Sequence, residues 1–292
     1  MDGSKTSLTT EVRGVDWLFW IYNSITVILL LLFGETVHNR WMYLSSNFGL
    51  IFISFFIIRF KVNGAPNPLM IMLRNGYPYF YFFYLHWESG EINHLIFTHS
   101  FDTLVQHWDK AIFGVHLHDI LYQFQPLWFS ELIHFTYFFY YILILLPAFL
   151  FYKNNFESFK KFIFDVSLLY LIHYFIFYIF PVLGPVAEHY ARFRHGVFFV
   201  PLMDLIYKIG DSPGGAIPSS HISIAILSWC WIFIRKRNIA VSLIPLVLGL
   251  IFSTVYLSYH YAIDALTGLI IGILFFLMMQ RLRQRFPNLS FT

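Results

Sequence analysis

The sequence predicts an all-α, polytopic transmembrane helical bundle, and three observations carry that prediction. Hydrophobic residues make up 58% of the 292 residues and charged residues only 12%, about half of the ~25% charge of a soluble domain. The apolar residues fall in long continuous runs, not in the alternating ten-residue segments of roughly the length a β-barrel strand needs. The chain is also 22% aromatic, with 36 Phe and 19 Tyr, a composition suited to lipid-facing surface and interfacial belts.

Residues 1–16 are polar and mixed in charge. The run over about 17–33 lacks a small-residue cleavage site and so predicts a retained membrane helix instead of a signal peptide. Further spans are expected at about 42–60, 129–152, 162–180, 221–234, 239–258 and 261–280, near the ~20 residues that cross a hydrocarbon core. The 221–234 run reaches that length if its helix begins a turn earlier, near Pro218. Residues 69–86 are aromatic but contain Arg74, Gly76 and Pro78, and either cross or lie at the interface. The stretch 87–128, with Glu88, Glu91, Asp102, Asp109 and several histidines, reads as extramembrane with one or two interfacial helices. Asp102, His107 and Asp109 repeat no metal-ligand spacing, and a polar interfacial segment accounts for them. His173, inside an apolar run, reads as a hydrogen-bonded intramembrane histidine, and Cys230 as a small buried hydrophobe. The net charge of +3 is small and spread out, which excludes nucleic acid as a partner and leaves membrane lipids.

Lys and Arg in short loops mark the cytoplasmic side. Lys153, Lys160 and Lys161, then Arg235, Lys236 and Arg237, then Arg281, Arg283 and Arg285 fall on one side if the later spans alternate. The loop 184–217 and the hairpin at Tyr259 then face the extracytoplasmic or lumenal side. If 69–86 also crosses, there are eight spans with both termini inside.

Two histidine motifs carry the chemistry. In Gly215-Ala216-Ile217-Pro218-Ser219-Ser220-His221, proline suits a first helical turn. The free N–H groups of that turn, with the helix dipole, form an anion site. Ser219 and Ser220 add hydroxyl donors, and Gly214 and Gly215 let backbone approach a bound group. In Tyr259-His260-Tyr261-Ala262-Ile263-Asp264, histidine and carboxylate stand four apart at a helix start and share a face. A carboxylate fixes an imidazole tautomer and stabilises its cation. Each motif alone is also an ordinary capped helix start. Together, both begin helices on one predicted membrane face, where an ionisable pair is costly and usually functional.

These residues resemble the type 2 phosphatidic acid phosphatase (PAP2) superfamily, which shares its core with vanadium haloperoxidases. Pro218-Ser219-Ser220-His221 matches its Pro-Ser-(Gly/Ser)-His block. Ser253, His260 and Asp264 match its later block, where Thr254 replaces an arginine, and its Lys-x6-Arg-Pro block is absent. Those departures, with 180–185 and 109–114, resemble the branch of inositol phosphorylceramide and sphingomyelin synthases. The resemblance implies a six-helix PAP2-like core with additional N-terminal helices: 1–60 N-terminal membrane helices, 61–285 catalytic membrane domain, 286–292 tail. It further implies that His260 attacks phosphorus, Asp264 orients it, and His221 handles the proton of the leaving or accepting oxygen, with no metal or cofactor.

Donors must replace the missing Lys and Arg. The eight-span arrangement leaves Arg40, Lys110, Arg192, Arg194 and Lys208 outside. Arg192 and Arg194 are expected as phosphate clamps, since Arg grips phosphate bidentately, with Lys208 a further candidate beside Ser219 and Ser220. His189 and His195, in the same loop, are expected to be bystanders. The expected activity is hydrolysis of a lipid phosphate monoester. The alternatives are transfer of a phospho-headgroup to a lipid such as ceramide, and a non-catalytic transporter or scaffold.

Overall fold

The computed structural model describes residues 12–59, 68–193, 195–210 and 213–287. Among the described residues every regular element is a helix, and the expected all-α bundle is the fold. A lone backbone bridge joins Val182 to Gly215. The helices are α1 (Gly14–Phe33), α2 (Arg40–Arg59), α3 (Pro68–Ile92), α4 (Asp102–Phe113), α5 (Leu117–Leu121), α6 (Leu127–Tyr152) and α7 (Phe156–Ile179). They continue as α8 (Val186–Arg192), α9 (Phe199–Gly210), α10 (Ser220–Arg235), α11 (Arg237–Ser242), α12 (Ile244–Tyr256) and α13 (Ala262–Arg285).

Five helices, α1, α2, α6, α7 and α13, are long and apolar enough to cross a membrane, and α10 and α12 are apolar but shorter. This is an integral membrane protein. The single span expected over 239–258 is instead two helices, α11 and α12. Pro245, in the first turn of α12, has no N–H to donate back to the preceding turn, so the ladder breaks at Leu243. The ambiguous stretch 69–86 lies within one continuous helix, α3. Asn75, near its start, accepts from Arg13 Nη1 at 2.8 Å, and Asn93, one residue past its end, donates to Pro213 O beside the glycine loop.

The charges that made α3 look a poor span are paired. Arg74 grips Asp16 of α1 bidentately, at 2.9 and 2.6 Å, and the Tyr77 hydroxyl donates to the same carboxylate at 2.5 Å. Glu88 accepts from Asn47 of α2 at 2.7 Å. In the same way Arg283 of α13 holds the buried Asp165 of α7 at 2.5 and 2.9 Å, and the Trp231 indole of α10 donates to it at 3.0 Å. Helix α7 is the centre of the bundle, with 72% of its apolar stretch buried. Helix α1 packs against it through the Tyr22–Tyr178 hydroxyl contact of 2.6 Å, and the N-terminal helices share one hydrophobic core with the rest.

The closest helix pairing sets up the site. Gly268 and Gly272 of α13 stand one turn apart. A Cβ at Gly268 would meet Ser219 O at 2.6 Å, and one at Gly272 would meet Ser223 O at 2.7 Å. Helices α10 and α13 therefore touch backbone to backbone, which small residues at this spacing permit. Both histidine motifs lie at the N-terminal ends of this pair.

Candidate active site

The first motif differs from its expected form at its start. Helix α10 begins at Ser220, and Pro218 precedes the cap instead of lying in the first turn. Ser219 is the N-cap, extended at φ −61° and ψ 108°, and its Oγ accepts from Ile222 N at 3.4 Å. The glycines also serve another purpose. Gly214, at φ +93°, lies against the Asn93 side chain, and a Cβ at Gly215 would meet Phe177 at 2.9 Å. Val182 pairs with this strand-like segment through Val182 N to Gly214 O and Ala216 N to Val182 O, both 3.0 Å. The glycines thus make room for protein packing, not for a bound group.

His260 lies two residues before α13, not within it. Its N–H donates to Thr254 O at 3.0 Å, and Ser258 turns the chain with φ +57°. Asp264 folds back from the first turn of α13, and its Oδ2 accepts from Tyr261 N at 2.9 Å. That places the carboxylate 3.6 Å from His260 Nδ1. On the other ring edge, His260 Nε2 lies 3.2 Å from the Ser219 hydroxyl. With Nδ1 turned to the carboxylate, Nε2 is the lone-pair nitrogen, and the hydroxyl donates to it. The two motifs are also tied by Ser219 N to Asp264 O at 3.1 Å. The ring of His221 is 5.9 Å from that of His260, centroid to centroid, and packs on Tyr140 at 4.6 Å and Tyr137 at 5.4 Å. His260 and Asp264 are buried, while His221 is half-buried.

Among the described residues the site has an outer frame that sequence reasoning undervalued. Asp109, fully buried in α4, accepts from Ile263 N at 3.0 Å at the start of α13 and from His116 Nδ1 at 3.0 Å. Asp102 accepts from Leu183 N and Gly184 N, each at 2.9 Å. The two carboxylates stand seven residues apart, two helical turns on one face with the buried Val105 between them, a pattern that was legible in the sequence. His189, expected to be a bystander, donates from Nδ1 to Leu257 O at 2.7 Å and accepts from the Tyr259 hydroxyl at 3.1 Å, beneath the His260 hairpin. His195 is exposed. His173 is hydrogen-bonded as expected, donating to Leu169 O at 2.8 Å and accepting from Ser223 at 2.9 Å. Thr254, in the position of the family arginine, turns its hydroxyl back to Ile251 O at 2.8 Å.

The expected phosphate donors divide. Ser219 and Ser220 are buried at the α10 start, next to His260. Arg192 is held elsewhere by an ion pair to Glu188 at 2.6 Å, one to Asp119, and hydrogen bonds to Ser258 Oγ at 2.9 Å and His118 O at 3.2 Å. Lys208 is exposed on α9. Arg194 lies outside the described residues. His118, Asp119 and Glu188 bring their ligand atoms within 4.8 Å of one another, the geometry of a candidate cation site. The Arg192 guanidinium already supplies the positive charge to both carboxylates there.

No curated protein and no solved structure matches the chain. The family model described as the PAP2 superfamily matches residues 105–278, more than half of the chain and including Ser219, His221, His260 and Asp264, and the chain belongs to that superfamily.

Proposed function

We propose that this protein hydrolyses a lipid phosphate monoester through a phosphohistidine on His260, at the extracytoplasmic or lumenal face. The observation that carries the reading is the convergence of Ser219, His221, His260 and Asp264 at the adjoining ends of two helices locked backbone to backbone. His260 Nε2 attacks phosphorus and the ester P–O bond breaks. His221 protonates the departing alkoxide. Asp264 stabilises the positive charge on His260. Water then attacks the phosphohistidine, gives its proton to His221, and phosphate leaves.

Phosphoryl charge is met first by the Ser219 and Ser220 hydroxyls and the open N–H groups of the α10 first turn. Arg192, Arg194 and Lys208 are proposed as secondary donors. Arg192 must exchange a carboxylate partner for phosphate to serve.

A second reading is favoured by one observation. The pairing of His260-Tyr261-x-x-Asp264 with Thr254 in place of arginine resembles the inositol phosphorylceramide and sphingomyelin synthase branch, which transfers a phospho-headgroup to a lipid alcohol. Purified protein in detergent is given labelled phosphatidic acid and, separately, phosphatidylinositol with ceramide. Release of free phosphate supports hydrolysis, and a new phospholipid without phosphate supports transfer. A His260→Ala protein that folds and keeps full activity refutes both, and leaves a transporter or scaffold.

A further inference from the structure

Among the described residues His86 of α3 is a histidine that nothing holds. His134, His173 and His189 each donate from Nδ1 to a backbone carbonyl. For His134 and His173 that carbonyl lies four residues back in the same helix. The equivalent acceptor for His86 is Phe82 O, which takes the Tyr174 hydroxyl at 3.0 Å in addition to its helical partner. A carbonyl has two lone pairs, so His86 is denied the bond its neighbours use. Its ring nitrogens make no hydrogen bond to any described residue, and neither do those of His221.

The two rings face one another edge to face, with centroids 6.3 Å apart at 87°. His86 contacts Tyr174 at 6.1 Å but makes no ring contact with His260, whereas His221 contacts both histidines. The order is therefore His86, His221, His260. Both His86 and His221 are half-buried, not sealed in the core. Ionisable residues at membrane depth without partners are costly and mark functional positions. In-line displacement puts the leaving or entering oxygen opposite His260, beside His221, and that is the side on which His86 stands.

We propose that His86 selects water over an alcohol as the acceptor of the phosphoryl group, an inference that rests on the hydrolytic reading of the site. A water attacking phospho-His260 forms the O–P bond as the N–P bond breaks. One of its protons goes to His221, and its second O–H donates to the neutral ring nitrogen of His86. An alcohol has a single O–H. It satisfies His221 but, like the departing lipid alcohol, presents carbon to His86 and forgoes the second hydrogen bond that water makes.

The test is partitioning. Wild-type protein, His86→Ala and His86→Gln are incubated with labelled phosphatidic acid in detergent with glycerol added, and free phosphate and glycerol phosphate are counted. The ratio of free phosphate to glycerol phosphate is expected to fall at least tenfold in His86→Ala. In His86→Gln, whose amide accepts the same hydrogen bond, it is expected to lie between the two. If His86→Ala does not fold, His86→Gln fills the same space and carries the comparison against wild type. Turnover with a ratio unchanged within twofold in the variants overturns this inference alone. Wild-type protein that forms neither product overturns the hydrolytic reading and this inference with it.

Discussion

Replacing Asp264 by Asn isolates the charge of the carboxylate from its structural bond. Asp264 is fully buried, its Oδ2 accepts from Tyr261 N at 2.9 Å, and it lies 3.6 Å from His260 Nδ1. The amide oxygen of Asn accepts the same backbone N–H, so the start of α13 keeps its cap. What disappears is the attraction between the carboxylate and the imidazolium formed when His260 is phosphorylated. At an effective dielectric of about 20, unit charges 3.6 Å apart attract by about 5 kcal/mol. The amide dipole and relaxation recover part of this, leaving about 3–4 kcal/mol, or roughly 100- to 1000-fold in rate. Single-turnover formation of phosphoprotein from labelled phosphatidic acid reads the step directly. Thermal melting in detergent should move by only a few degrees, on the order of a 1 kcal/mol change. An Asp264→Asn protein within threefold of wild type in phosphoprotein formation would refute the role given to the carboxylate.

Gly268→Ala places a Cβ 2.6 Å from Ser219 O and should lower turnover at least tenfold by shifting Ser219 from His260. Gly76→Ala, with nothing within 4 Å of its Cβ, should leave turnover unchanged and raise stability by up to about 1 kcal/mol. Burial pushes the His118 imidazole below its ordinary value near 6.5, against the pull of Asp119 and Glu188. The unfolded chain then binds a proton that the folded one does not. Its contribution is complete above about pH 6.5 and is lost as pH falls through the lowered folded value, so the melting temperature should drop from pH 7 to 5 and drop less in His118→Gln. For the secondary donors, Arg192→Ala and Lys208→Ala should each weaken inhibition by inorganic phosphate severalfold. Unchanged inhibition in both would leave the clamp to Ser219, Ser220 and the α10 N-terminus.

Much of this was legible in the sequence because the bilayer constrains it. Continuous apolar runs located the five helices long enough to cross a membrane and the shorter α10 and α12, and the histidine motifs located His221, His260 and Asp264 at one end. The misses share a cause: each depended on a partner distant in sequence. Arg74 counted against a span because Asp16 lies 58 residues away. Arg192 read as a phosphate clamp because Asp119, 73 residues away, meets it only in the folded chain. Gly214 and Gly215 read as a cradle for phosphate because Asn93 and Phe177 come from other helices. Asp109 read as a charge on a polar interfacial segment, yet it accepts from Ile263 N at the start of α13 across 154 residues. His86 carried no motif at all; its position beside His221 comes from the path of α3 through the bundle.

The glycine contact between α10 and α13 divides the protein into parts with different freedoms. Backbone against backbone, the two helices move as a single body when the surrounding bilayer thins, thickens or bends, so the separation of Ser219, His260 and Asp264 is insulated from lipid composition. The opposite wall, with His86 on α3 and Tyr137 and Tyr140 on α6, meets that body through side chains. On the proposed mechanism, substitutions there should reshape what approaches phosphorus without disturbing the reacting geometry. On that reading, one scaffold could change its acceptor while its chemistry stays fixed.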